Sequence, residues 1–224
     1  MRDARNAVVA WARWGVRNSR HFIYSMGSER MSAIGRRGVL PIVADCSASV
    51  TAWYNFAGAP NPNGFPYSLM EGYTGTLLDS SSGRDIDLAL VRPGDIVVYG
   101  PGTGEHTALI VEAGLDPLTV SMGRQGDPSF VRISQDGRVP QRFRTFPTRA
   151  KRVYWPHGYK SRPPHDQVRR FGYVALSESS QAALAISNGW PVYRWSGWGF
   201  ELIDEPGGIG ATEYANAKFV NPRS

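Results

Sequence analysis

A chain of 224 residues and 24.7 kDa fits one medium domain, alone or with a small appendage. Its apolar content of 42% is enough for a packed core, and its formal charge is +6. A single cysteine excludes an internal disulfide framework and any cysteine-cluster zinc site.

No apolar run approaches the ~18 residues needed to cross a bilayer. The stretch 7–12 is cut short by Arg13 and is too brief for a signal-peptide core. The expectation is a chain without a membrane partner and without the usual export signal. Charge is unevenly spread: +6 over residues 1–44, −7 over 45–128, +9 over 129–170 and −2 over 171–224. Of the 25 basic residues 22 are arginine, the side chain that pairs bidentately with carboxylate and phosphate. Basic flanks around an acidic middle fit an anionic polymer partner, or segments that neutralise one another across the fold.

Residues 4–18 place Val8, Trp11 and Trp14 at helical spacing and predict a first helix. A loop rich in Ser, Gly and Arg follows and contains Tyr24. Asp45 then offers an N-cap, with Cys46 at the first helical position and Val50, Trp53, Tyr54 and Ala57 as a buried stripe. Gly58 supplies the stop. Residues 59–88 read as irregular, and so long a loop suggests a binding element. From Arg92 onward the texture is that of strands: RPGDIVVYG, HTALIVEAG and PLTVSMG, with one or two more over 130–155. Helices first and strands afterwards predict an α+β fold, an antiparallel sheet packed on N-terminal helices. The prolines and charges of 156–170 suggest a linker between a domain at 1–155 and a small α/β module at 171–224. That module reads as strand, Ser177-capped helix, strand, turn and strand, with Trp190, Tyr193, Trp195, Trp198 and Phe200 as platforms for stacking on sugars, a docking face for a partner subunit, or a mini-core.

A lone cysteine is usually inert core. Cys46, however, follows an N-cap directly, where free N–H groups and the helix dipole favour thiolate, and Asp45 and Ser47 make its surroundings polar. Four histidines could serve as its base. His157 and His165 fall in the expected linker, and His21 follows a polar stretch. His106 opens a strand after a glycine turn, at a sheet rim that can face a helix start. A Cys46–His106 pair suits acyl transfer, with helix-start N–H groups stabilising the oxyanion.

Several segments then fall in one register. DCSASV around Cys46 is similar to an Asp-Cys-Ser-Gly-Leu-Val signature, LVRPGDIVVYG to a Leu-x-Pro-Gly-Asp-Leu-Val strand, and GEHTALIVEAG to a Gly-His-Val-Gly-Ile-Val segment. FIYSMG places Tyr24 where a tyrosine lines the site. Together, over roughly residues 5–150, these resemble the NlpC-type cell-wall peptidases, a papain-like group related to the CHAP amidases. The loop after Gly58 and the phrase DPLTVSMGRQGDP look most like lysins and tail-associated peptidases of phages that infect actinobacteria. The resemblance implies a papain-like core and hydrolysis of an amide bond in the stem or cross-bridge peptides of peptidoglycan, with no cofactor and no metal. By the same resemblance Cys46 is the nucleophile, its backbone N–H an oxyanion donor, and His106 the general base and then acid. Tyr24, Asp45, Ser47 and Tyr73 would border substrate or oxyanion.

In one respect the chain departs from the pattern. Where relatives carry a Ser-His-Gly phrase whose histidine orients the imidazole, this chain has Ser121-Met122-Gly123. A thioether is only a weak acceptor. Ser121 or Gln125 then supplies the contact, or the site works as a dyad, or activity is weakened. The implied partners are peptidoglycan and, for a tail-borne enzyme, other virion proteins; the implied location is a virion or a host cytoplasm before lysis. Two other functions stay open, an N-acetylmuramoyl-L-alanine amidase and an inactive peptidase-fold tail component. Nucleic acid finds no recognition helix, RNA-binding strand signature or finger in the sequence.

Overall fold

The computed structural model describes residues 4–68, 71–79, 81–137, 148–155, 162, 164, 192–195 and 200–204. The chain divides into two compact units, Met1–Gly38 with Ile42–Val168 and Val39–Pro41 with Arg169–Ser224.

In the first unit, helix α1 (Ala4–Arg17) turns Val8, Trp11 and Trp14 inward, as their spacing predicts. The Trp11 ring meets Trp14 and Phe56 edge-on at 5.3 and 5.2 Å. Burying side chains of this size contributes about 1.5–3 kcal/mol each, enough to fix α1 against α2. Two short strands, β1 (Phe22–Tyr24) and β2 (Ile42–Ala44), pair in parallel and set Tyr24 opposite Ala44. Three-residue strands carry too little pattern to be read from sequence, and the stretch around Tyr24 reads there as a loop.

Helix α2 (Cys46–Ala57) begins and ends where local chemistry dictates. The Asp45 carboxylate accepts from the Ala48 N–H at 2.7 Å, and Gly58 closes the helix with φ of 70°. Val50, Trp53, Tyr54 and Ala57 are all fully buried. The expected irregular stretch 59–88 holds regular structure after all: a short helix α3 (Thr74–Asp79) and a strand β3 (Gly83–Ile86). Both form through tertiary contact. The Lys151 ammonium, on a residue only 1% exposed, donates to the carbonyls of Leu77 and Leu78 and so caps α3, and β3 finds its partner in β8.

The remaining strands are β4 (Ile96–Tyr99), β5 (His106–Glu112), β6 (Leu118–Ser121), β7 (Ser129–Arg132) and β8 (Arg149–Val153). With β3 they form one six-stranded antiparallel sheet in the order β3-β8-β4-β5-β6-β7. Val97, Tyr99, Ala108, Ile110 and Ala150 make a core cluster on it, joined by Val91 and flanked by Ile133. Helix α1 packs on β5 and β6, and α2 on β5. The architecture is the expected α+β arrangement of helices on an antiparallel sheet.

The charge pattern resolves in the same unit. Arg5 and Arg152 reach the buried Asp95, Arg30 reaches Asp45, and Arg13 reaches Glu112. Each pair joins a basic flank to the acidic middle, so these flanks are in part neutralised within the fold. Arg162, inside the expected linker, is held against the helices: its N–H donates to Ala57 O at 2.9 Å and its carbonyl accepts from Trp11 Nε1 at 2.7 Å.

In the second unit, β9 (Val192–Trp195) and β10 (Phe200–Asp204) pair antiparallel, with Phe200 opposite Trp195 and Leu202 opposite Tyr193. They fall on two of the strands expected in the tail; the turn expected between them lies outside the described residues. The Ser177-capped helix, Trp190, Trp198, His157 and His165 lie outside the described residues. Among the described residues no helix is long and apolar enough to cross a membrane.

Candidate active site

Packing of α2 on β5 brings the helix start and the strand start together. Cys46 is the first residue of α2 and half-buried; His106 is the first of β5 and 5% exposed. The backbone N–H groups of Thr107, Ser47 and Cys46 itself act to lower the Cys46 thiol. Thr107, the residue next to His106, is thus among the groups that act on the sulfur.

Those donors do not ionise the thiol. Burial, and after it the Asp45 carboxylate, push Cys46 up to about 12 from an ordinary 9.0. The expectation that the helix start favours thiolate is corrected on this point. Desolvation penalises the anion more than three N–H dipoles stabilise it, and the capping residue is itself an anion. At neutral pH the resting sulfur carries its proton.

His106 is held from several directions. Its ring stacks on Tyr99, the residue paired with it on β4, with centroids 5.8 Å apart. Its Nε2 shares a 2.7 Å hydrogen bond with Ser121 Oγ, at the end of β6. The Asp136 carboxylate lies 3.7 Å from the same nitrogen. Gly104 shapes the approach to His106: its φ is 84°, and a Cβ there would sit 2.4 Å from Val98 Cγ1.

Of the two candidates for orienting the imidazole, the structure selects Ser121. Gln125 sits in an exposed turn and donates instead to the Tyr24 carbonyl at 3.0 Å. Met122 is buried in the core. His21, a weaker candidate for the base, is buried beside Arg20, whose Nε donates to its Nε2 at 3.0 Å.

The expected border residues divide into two groups. Tyr24 reaches the site: burial, then the Cys46 sulfur, then the Asp45 carboxylate raise its phenol above the ordinary range. Asp45 and Ser47 are cap residues. Ser47 is buried and donates to Asp45 Oδ1 at 2.9 Å, and Arg30 approaches both. Tyr73 is 48% exposed and leans over Gly75; its neighbour Gly72 accepts from Arg30 NH2 at 2.6 Å. Thr74 beside it donates to the Gly104 carbonyl at 3.2 Å, which ties this loop to the turn before His106.

Sequence reasoning missed Arg30, Tyr99 and Asp136. Tyr99 was legible as the strand residue facing His106 once the hairpin register is known. Arg30 sits in a short 3-10 turn and Asp136 directly after another, with no periodicity to mark them. Among the described residues no group of three or more His, Cys, Asp or Glu is gathered for a metal ion. No protein-family model and no curated protein matches the chain.

Proposed function

We propose that the first unit is a cysteine hydrolase of the papain-like NlpC type that cleaves an amide bond in peptidoglycan stem or cross-bridge peptides. One observation carries the reading: Cys46 begins the helix that packs on β5, His106 begins β5, and the His106 Nε2 is held by Ser121 at 2.7 Å. A nucleophile, a base and an orienting group thus come from α2, β5 and β6 in the order the sequence motifs imply.

Chemistry on this frame proceeds by general-base attack from a neutral thiol. As Sγ bonds to the amide carbon, its proton passes to His106 Nδ1, the nitrogen on the far side of the ring from Ser121. The carbonyl oxygen becomes an oxyanion, received by the Cys46 N–H with Tyr24 close by. Collapse breaks the C–N bond, and His106 returns the proton to the leaving amine. Water then attacks the thioester, His106 takes a proton from it, and Sγ departs as a thiol with the acid released. The same steps serve a muramoyl-alanine bond, so product analysis decides the bond.

The high thiol value favours a second reading, a peptidase fold kept as a binding or tail component. Digestion of purified peptidoglycan, followed by mass spectrometry of the released muropeptides, separates the two. Wild-type protein should release new peptide ends, while Cys46→Ala and His106→Ala should lose at least a thousandfold in rate with melting unchanged. Equal products from both variants would sink the hydrolase assignment. No products from wild type would leave the binding reading in place.

A further inference from the structure

We propose that Asp136 is the anionic positioning residue of His106, acting beside Ser121 to hold the imidazole in the tautomer with its proton on Nε2. This rests on the hydrolase reading, because it concerns the base of that reaction. Asp136 follows a 3-10 turn (Ile133–Gln135) beyond β7, far from the phrase in which the family pattern places its orienting residue.

Three observations support it. The Asp136 side chain is fully buried, and its Oδ2 stands 3.7 Å from His106 Nε2. At that separation the interaction is one of charge, while the direct hydrogen bond belongs to Ser121 at 2.7 Å. The turn carrying Asp136 is also clamped independently of His106. The Ile133 N–H donates to Pro117 O at 3.2 Å, and Ser134 donates through N–H and hydroxyl to the Asp116 carboxylate at 3.1 and 2.6 Å. Ile133 packs on the core cluster. The carboxylate is therefore delivered to the ring by an element fixed in advance of any substrate.

The chemistry follows from the charge. When His106 takes the thiol proton it becomes an imidazolium in a buried site, and a fixed anion on its Nε2 side stabilises that state. The other charged or titratable groups on the elements around the ring are the stacked Tyr99, Cys46 and its cap Asp45 on the helix packed against β5, and Glu105, the preceding and exposed residue. Among these described groups Asp136 is the carboxylate that stands at His106 Nε2.

The test uses the full chain labelled with 15N at histidine. In the wild type, neutral His106 should carry its proton on Nε2; the Nδ1–H tautomer overturns the proposal without need of any variant. In Asp136→Asn, the His106 titration should move to lower pH by about one unit or more, and an unmoved midpoint overturns it. On peptidoglycan, Asp136→Asn should lower kcat at least tenfold, keep KM within about threefold, and move the acid limb of the pH–rate profile. Asp136→Glu should recover part of that loss. If wild type proves inactive on wall, the hydrolase reading fails, and the tautomer and titration still decide the role of Asp136.

Discussion

Arg30 and Asp45 form an ion pair of 3.2 Å at the start of α2, the helix that Cys46 opens, and the same guanidinium donates to the Gly72 carbonyl at 2.6 Å. One side chain therefore links the cap of α2 to the loop that leads into Tyr73. Arg30→Met should leave the partly buried Asp45 carboxylate without its cation and free the loop. The expected cost is about 1–3 kcal/mol in urea unfolding, together with a further rise in the pH at which Cys46 reacts with iodoacetamide.

Asp45 has two effects that substitution can separate. Its side chain caps the helix, and its charge is the second cause of the raised Cys46 value. Asp45→Asn keeps the cap, since asparagine caps about as well as aspartate. It removes the charge, so Cys46 should alkylate faster than in wild type at pH 9. Asp45→Ala removes both and should also cost ~1 kcal/mol of stability. Equal alkylation rates in wild type and Asp45→Asn would show that the carboxylate does not act on the thiol.

The Cys46 thiol gives stability a pH dependence of definite sign. With the folded value near 12 and the ordinary one at 9.0, the native state holds the proton more tightly than the unfolded chain. Stability from this group is full below pH 9 and is lost as pH rises from 9 towards 12. Cys46→Ser, whose hydroxyl stays protonated there, should flatten this decline in thermal melts from pH 8 to 11. Alkylation of the wild type should climb across the same range; a plateau reached below pH 8 would instead reveal a resting thiolate.

Buried charge at Asp95 holds the sheet to its surroundings. The carboxylate accepts from Arg152 NH2 at 2.7 Å and from the Arg92 N–H at 2.8 Å, with Arg5 at 3.4 Å. Hydrogen bonding to Asp95 in turn raises the Arg152 guanidinium. Asp95→Ala leaves two partly exposed guanidiniums and the Arg92 N–H without their acceptor, so it should destabilise by about 1–3 kcal/mol in chemical denaturation. Double replacement with Arg152→Met should cost less than the sum of the single changes.

Local chemistry was legible in the chain itself. Asp45 and Gly58 bound α2, the spacing of Val8, Trp11 and Trp14 marked α1, and the runs around Ile96, His106 and Leu118 announced strands. Each of those signals lies within a dozen residues, because capping, periodicity and alternation are short-range effects. The pairing of Cys46 with His106 was likewise suggested by their places at a helix start and a strand start. What only the tertiary structure decided depends on groups distant in sequence meeting in a low-dielectric interior. Ser121 rather than Gln125 reaches His106 because the β5–β6 register sets Ser121 opposite Ala108, two residues along the strand. Asp136 arrives from an irregular turn that no pattern marks. And the Cys46 thiol stays protonated because burial outweighs the helix start, a balance set by how densely the fold surrounds that sulfur and not by any neighbour in the sequence.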